Sequence, residues 1–147
     1  MKKLNKLKVV VFKNTWIYKI FTAIFSAKVI VVPRWFFPAS CMGPVIVIRE
    51  RDYNAAVANH EYIHYLQQKE MLFIFAYIMY IVEFICKFFY YFNIRDFRRG
   101  LKNAYINVSF EREAHSMQPM IGYCGHRKAY SHFYCVFMKN GLKYRKK

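Results

Sequence analysis

The chain has 147 residues, which is enough for one domain with a buried core and hardly enough for two. Hydrophobic residues make up 56% of the chain and aromatic residues 20%, while 24 Lys and Arg against 8 Asp and Glu give a formal net charge of +16. This balance favours an anionic partner and a place to bury apolar surface. An anionic lipid surface offers both, whereas nucleic acid offers only the first.

The N-terminal segment begins like a signal peptide, with basic residues ahead of short apolar runs. Lys13 interrupts the first run, residues 9–12, and no small-residue cleavage site follows either this run or the second one, residues 20–27. We therefore expect no export, and reduced thiols at the four cysteines, which are Cys41, Cys86, Cys124 and Cys135. The last two cysteines, with His126 and His132, match no common zinc module, and packing in the core is the better interpretation.

Two β-branched runs predict strands. Residues 45–48 form the clearer one, because Gly43-Pro44 precedes them and Arg49-Glu50 follows them. Residues 28–32 are a second candidate, which could instead end a preceding helix.

Helices account for most of the remaining chain. Residues 52–92 contain neither Gly nor Pro, and Asp52 or Asn54 can cap a helix there. A further helix is predicted over residues 101–117. We expect a mainly α fold with a small β element in a single domain spanning residues 1–147, with a core at 33–117 and basic N- and C-terminal extensions.

Residues 71–92 form the most apolar segment of the chain, interrupted by Glu83 and Lys87. Its length suits a bilayer span, but two ionisable residues count against a simple one. The alternative is an interfacial or core helix in which Lys87 extends to the surface and Glu83 is hidden.

The segment His60-Glu61-Tyr62-Ile63-His64 carries the strongest chemical signal. Histidines four apart leave the same face of a helix, about one turn from each other, and at that spacing two imidazole nitrogens can bind one zinc ion. Glu61 can face the open coordination position without being a ligand, take a proton from the attacking water and pass it to the leaving amine. The alternative is a pair of structural histidines.

A catalytic zinc ion needs a third protein ligand, and the leading candidate segment is Phe110-Glu111-Arg112-Glu113-Ala114. The two glutamates point to different faces of a helix, so only one of them can bind the metal; the alternative is a solvated charge cluster. Helix rise brings Glu111 level with His64 only if the chain breaks near residues 69–72, although no Gly or Pro stands there.

At these residues the chain resembles the gluzincin branch of zinc metallopeptidases, in particular the membrane-embedded CAAX prenyl-protease and heat-shock-type peptidases. In their pattern the ligand Glu is followed three residues later by Ala and then by Asp. The resemblance therefore implies zinc bound by His60, His64 and Glu111, with Glu61 as the general base. His115 stands where that family has Asp, which puts one supporting hydrogen bond in doubt.

A closer resemblance is to a family of short, uncharacterised bacterial proteins. It rests on His-Glu-x-Ile-His-x-x-Gln through Gln67, on the apolar helix with Glu83, and on the segment from Ala104 through Phe-Glu-Arg-Glu-Ala to Ala114. This likeness covers roughly residues 33–117. It implies a fold and a metal site but no substrate.

The function predicted from these features is hydrolysis of a peptide or protein substrate by a membrane-associated zinc metallopeptidase, with the zinc site on the cytoplasmic side. Tyr62, Tyr65 or Tyr105 would donate to the oxyanion, and strand 45–48 would be a sheet edge that holds the substrate. The alternative is a non-enzymatic cationic membrane protein with a structural or vestigial metal site. Nucleic-acid binding through basic residues near 95–102 and 143–147 lacks a recognisable module, so we expect no specific nucleic acid.

Overall fold

The computed structural model describes residues 26–136. Within them, three strands precede six helices: β1 (Lys28–Val32), β2 (Ala39–Met42), β3 (Val45–Arg49), α1 (Ala55–Glu70), α2 (Ile74–Tyr91), α3 (Phe97–Asn107), α4 (Ser109–Met117), α5 (Tyr123–His126) and α6 (His132–Val136). A 3₁₀ turn, Glu50–Asp52, links β3 to α1. The predicted mainly α fold with a small β element is confirmed.

The sheet has the order β1-β3-β2, with β1 parallel and β2 antiparallel to β3. Both predicted strands are present, but the prediction that strand 45–48 lies at an edge is wrong, because β3 pairs on both sides. The edge strand beside α1 is β2, which the sequence analysis missed because Ala39–Met42 has no β-branched residue. Gly43 makes the turn between β2 and β3 at a φ of 59°, a conformation that favours glycine.

Two apolar clusters form the core. Ile46 and Ile48 of β3 pack against Tyr65 of α1 and bury one face of the sheet. Val108 and Phe110, at the start of α4, pack against Ala76 of α2. Together the two clusters hold α1, α2 and α4 in a fixed arrangement.

The chain reverses between α1 and α2 without Gly or Pro, where the sequence analysis required a break. Leu72 and Phe73 have φ values of 51° and 59°, which cost roughly 1–2 kcal/mol each for residues with a Cβ. Gln68 holds this strained turn: its carbonyl accepts from the Phe73 N–H (2.7 Å), and its side-chain oxygen accepts from the Gly43 N–H (2.8 Å). The break thus depends on contact with the β2–β3 turn.

The prediction of a single helix over residues 101–117 is wrong, because extended backbone at Val108 separates α3 from α4. Glu83 fixes the break, since its two carboxylate oxygens accept from the Ser109 N–H (2.9 Å) and from the Ser109 hydroxyl (2.6 Å). Glu83 is therefore the cap of α4, which explains an acidic residue in so apolar a helix. Helix α3 also begins earlier than predicted, at Phe97, capped by the Asp96 side chain.

Helix α2 has the length and composition to cross a membrane. Ala76 is its one buried residue among those described, and apolar side chains such as Ile78, Ile81 and Phe89 are more than half exposed. A surface this apolar and this exposed marks an interaction site.

The packed region extends on both sides of residues 33–117. Strand β1 pairs along its whole length with β3, and α6 packs against α4. The basic N- and C-terminal extensions predicted from the sequence lie largely in residues 1–25 and 137–147, outside the described residues.

His132 of α6 is fully buried and stacks on Phe110, with ring centroids 4.4 Å apart. Neither ring nitrogen has a hydrogen-bond partner among residues 26–136. Burial lowers the pKa of His132 to about 4, so the folded protein holds this ring neutral.

We predict that the free energy of unfolding falls as the pH drops from about 6.5 to about 4, because the unfolded chain takes up a proton on His132 before the folded chain does. Denaturant unfolding across this pH range measures the effect. In His132→Phe the fall should be smaller than in the wild type, whereas His126→Ala, which changes an exposed histidine, should keep the wild-type dependence. An unchanged pH dependence in His132→Phe would contradict the prediction.

Candidate metal centre

Helices α1 and α4 bring three of the predicted residues together. The Nε2 atoms of His60 and His64 lie 3.1 Å apart on one face of α1. The Glu111 Oε2 atom of α4 is 3.6 Å from the first of these nitrogens and 3.5 Å from the second. The reversal after α1 and the Glu83 cap on α4 together bring this carboxylate next to the histidine pair.

The donor atoms fit a metal ion. Zinc bound at about 2.0–2.2 Å in a tetrahedron separates neighbouring donor atoms by about 3.4 Å, close to the spacings of His60, His64 and Glu111. Glu111 is buried, and its Oε2 has no hydrogen-bond partner among the described residues. Because a buried carboxylate oxygen needs a partner, a cation between these atoms would satisfy it.

Each histidine of the pair is oriented by an amide oxygen on its outer nitrogen. The His60 Nδ1 lies 3.1 Å from Gln118 Oε1, and the His64 Nδ1 lies 2.8 Å from Gln67 Oε1. Since an amide oxygen only accepts, each Nδ1 donates, and Nε2 is the nitrogen of each ring that can bind a metal. Gln118 thus supplies the supporting hydrogen bond that the sequence analysis left in doubt at His115.

The two glutamates of α4 have different surroundings. Glu111 faces the histidines, and Tyr80 of α2 donates to its Oε1 at 3.1 Å, which leaves Oε2 for a metal. Glu113 accepts from Arg127 (2.6 Å) and from Gln67 (2.8 Å) on the side away from the histidines. Glu113 therefore supports the site indirectly, because it accepts a hydrogen bond from Gln67, which orients His64.

The electrostatics of the group favour a bound cation. Burial raises the pKa of Glu111, but His64 and His60 outweigh this effect and the pKa is lowered. Burial lowers the pKa of His64, yet the Glu111 carboxylate raises it to about 9. Without a metal, His64 thus carries a proton that compensates the buried carboxylate, and a metal ion would displace this proton.

His115 is a fourth residue of the group, and sequence reasoning gave it no role. Its Nε2 lies 3.7 Å from Glu111 Oε2, and the donor atoms of His60, Glu111 and His115 all lie within 4.8 Å of one another. A metal ion could be held by this set. The sequence does contain a signal for His115: it stands four residues after Glu111, and two residues at that spacing share one face of a helix.

A cavity of about 280 Å³ opens onto the histidine pair and Glu111. Glu61 lines this cavity and is itself buried. Burial raises the pKa of Glu61 against the opposing effect of His64 and His60, and a raised pKa suits a carboxylate that must accept and return a proton near neutral pH.

Of the three tyrosines predicted to donate to an oxyanion, only Tyr105 lines the cavity. Tyr65 is instead in the core under the sheet, and Tyr62 packs beside it. The structure adds Tyr77 and Tyr80 of α2 to the cavity wall. The sequence could not indicate them, because apolar helix 71–92 offers tyrosines on several faces.

The interpretation that Cys124, Cys135, His126 and His132 pack in the core holds for Cys135 and His132, which are buried, but is wrong for His126. The Cys124 thiol donates to Asn59 Oδ1 at 3.3 Å, and Cys135 is buried beside His132 in the α4–α6 contact. His126 is exposed. Among residues 26–136, these side chains form no group of potential metal ligands.

We predict opposite effects for the two glutamates of α4. Glu111→Gln should lose bound metal, because a neutral amide is a poorer ligand than a carboxylate. Glu113→Gln should keep the metal but lower the free energy of unfolding by roughly 3 kcal/mol, the lower end for breaking a buried ion pair, because Arg127 still contacts Glu70. Elemental analysis and denaturant unfolding on the same preparations separate the two. Metal loss in Glu113→Gln with retention in Glu111→Gln would contradict the assignment.

Comparison with known proteins adds no relative to this picture. No family model matches the chain, and neither a curated protein nor a solved structure does. The chemistry of the site must therefore be inferred from its own atoms.

Proposed function

We propose that the chain is a zinc metallopeptidase that acts at a membrane surface. The observation that supports this most is the meeting of His60, His64 and Glu111 at a cavity that also holds Glu61. Three protein donors beside an uncoordinated carboxylate make up a catalytic site, whereas a structural zinc site needs only ligands.

His60, His64 and Glu111 would hold the zinc ion, which when bound supplies a Lewis acid that polarises a peptide carbonyl and activates water near neutral pH. Glu61 takes a proton from the attacking water as its oxygen adds to the carbonyl carbon. The same carboxyl then gives this proton to the amide nitrogen as the C–N bond breaks, so that the products are a carboxylic acid and an amine. The raised pKa of Glu61 makes its carboxylate a stronger base for the first transfer.

Tyr105 is the residue we assign to the carbonyl oxygen. It lines the same cavity as Glu61, and a phenol there can donate a hydrogen bond to the negative charge that develops during attack. Tyr80 donates a hydrogen bond to Glu111 at 3.1 Å and so positions that carboxylate, which the Tyr105 hydroxyl also contacts.

Strand β2 is the element suited to hold the substrate. Its residues Ala39, Ser40 and Cys41 line the cavity, and its outer edge pairs with no strand among the described residues. An extended peptide can add to such an edge by backbone hydrogen bonds, with a side chain entering the cavity. Phe37 and Phe110 on the cavity wall favour an apolar side chain at that position.

Helix α2 supports a membrane location for this chemistry. Its apolar face is exposed, and basic side chains in the loop after it and in α3 suit phospholipid headgroups; the exposed ones are Arg95, Arg98, Arg99 and Lys102. Tyr77 and Tyr80 of the same helix line the cavity, which favours a protein segment at the membrane surface as the substrate.

A second candidate is a non-enzymatic cationic membrane protein with a structural metal site. The proximity of His115 to Glu111 favours it, because an additional ligand is typical of a structural site. The two candidates differ in whether the protein needs the Glu61 carboxylate.

We predict that Glu61→Gln keeps its metal and its fold but loses peptidase activity by roughly 10²–10⁴-fold, because the amide cannot accept the proton. Cleavage of a mixed library of quenched fluorescent peptides and metal content should be measured on the same preparations. Glu50→Gln, which changes an exposed carboxylate outside the cavity, is the matched control and should behave as the wild type. Full activity in Glu61→Gln would exclude the proposed mechanism.

We also predict that the protein floats with phosphatidylserine-containing vesicles and stays bound in 1 M salt. At that salt concentration the Debye length is about 3 Å, so attraction between charges is screened, whereas the burial of apolar side chains is not. Changing Ile78 and Ile85 of α2 to Glu should weaken vesicle binding more than tenfold, because burying each isoleucine side chain in lipid contributes about 1.5–3 kcal/mol. Ile121→Glu, at an exposed position outside α2, should not. Undiminished flotation of the double variant would show that another surface binds the lipid.

A further inference from the structure

His115 has a buried nitrogen for which the three-ligand site offers no use. Its Nε2 has no hydrogen-bond partner among residues 26–136, although 35% of the side chain is exposed. The ring stands edge-on to that of His60, with centroids 4.6 Å apart. A buried imidazole nitrogen without a partner costs free energy unless a proton donor or a metal ion satisfies it.

An indirect supporting role does not explain His115. A residue in such a role forms a hydrogen bond with the outer ring nitrogen of a histidine ligand and so orients that ligand. The Nδ1 atoms of His60 and His64 are already bound to Gln118 and Gln67. The position available to the His115 Nε2 is therefore among the donor atoms themselves, 3.7 Å from Glu111 Oε2.

The two helices present matching pairs. His60 and His64 are four residues apart on α1, and Glu111 and His115 are four residues apart on α4, so that each pair shares one face of its helix. All three imidazole Nε2 atoms lie 3.5–3.7 Å from Glu111 Oε2. One metal ion between the helices can thus contact a pair from each side.

We infer that His115 is a fourth protein ligand, binding through Nε2 the same metal ion as His60, His64 and Glu111. This inference rests on the metal site of the proposed function. His115 is not among the residues that line the cavity, whereas Glu61 is. A fourth ligand that does not line the cavity leaves the cavity open to a water or substrate oxygen, so the inference is compatible with catalysis.

The donor set that results is three imidazoles and one carboxylate. Zinc in catalytic sites commonly has three protein ligands, so a fourth raises the coordination number once a substrate oxygen also binds. Cobalt(II) binds the same kinds of donor, and its visible absorption depends on their number and geometry. Cobalt substitution therefore reports on His115 directly.

The test is titration of the metal-free full-length protein with Co²⁺, recording the visible spectrum and determining affinity by competition with a chelator. His115→Ala and His115→Gln are compared with His126→Ala, which removes an exposed histidine elsewhere. We expect both His115 variants to lose affinity by more than the roughly 10–100-fold that loss of an outer supporting residue costs, and to show a changed spectrum. Circular dichroism of the metal-free proteins checks the fold.

A spectrum identical to that of the wild type in both folded variants would overturn the inference, whatever their affinities, because it would show that His115 is not bound to the metal. A wild-type protein that binds neither Co²⁺ nor Zn²⁺ would overturn the proposed function as well. A changed spectrum in the His115 variants, together with full activity of Glu61→Gln, would remove the peptidase mechanism and leave the fourth ligand in place.

Discussion

The structure depends on one buried carboxylate, Glu111, held among imidazole rings. Removing an ionised carboxylate from water costs several kcal/mol, so it persists only where positive charge compensates it. In the metal-free protein the raised pKa of His64 provides that charge as a proton; a metal ion would provide more of it and would also satisfy the free Oε2 atom. The buried carboxylate and the imidazole rings around it therefore form a group that could hold a metal ion.

Long-range polar contacts hold the carboxylate there. Glu83 fixes the start of α4. At the other end, the Asn59 side-chain nitrogen of α1 lies 3.1 Å from the backbone carbonyl oxygens of Met117, Gln118 and Met120. Gln67 connects His64 to Glu113, which in turn pairs with Arg127. Arg127 thus stabilises the site although it does not line the cavity. The apolar helix α2 contributes Glu83 to this framework and not to the chemistry.

Local sequence patterns were sufficient to predict the histidine pair on a helix, the strands at 28–32 and 45–48, and the apolar helix. The reversal after α1 carries no local signal in the sequence; helix rise only made it a condition for Glu111 to reach His64. Strand β2, the division at Val108 and the Gln118 contact were missed because each depends on residues distant in sequence. His115 departs from the family pattern, and its spacing of four residues from Glu111 indicates a shared helix face.

The proposed function requires one metal ion held by nitrogen and oxygen donors from α1 and α4. X-ray absorption at the zinc edge of the purified, zinc-loaded protein identifies those donors. We expect nitrogen and oxygen scatterers at about 2.0–2.2 Å with the multiple-scattering pattern of imidazole, and we expect this pattern to be lost in a variant lacking both His60 and His64. A sulfur scatterer at about 2.3 Å, or zinc retained unchanged in the double variant, would contradict it.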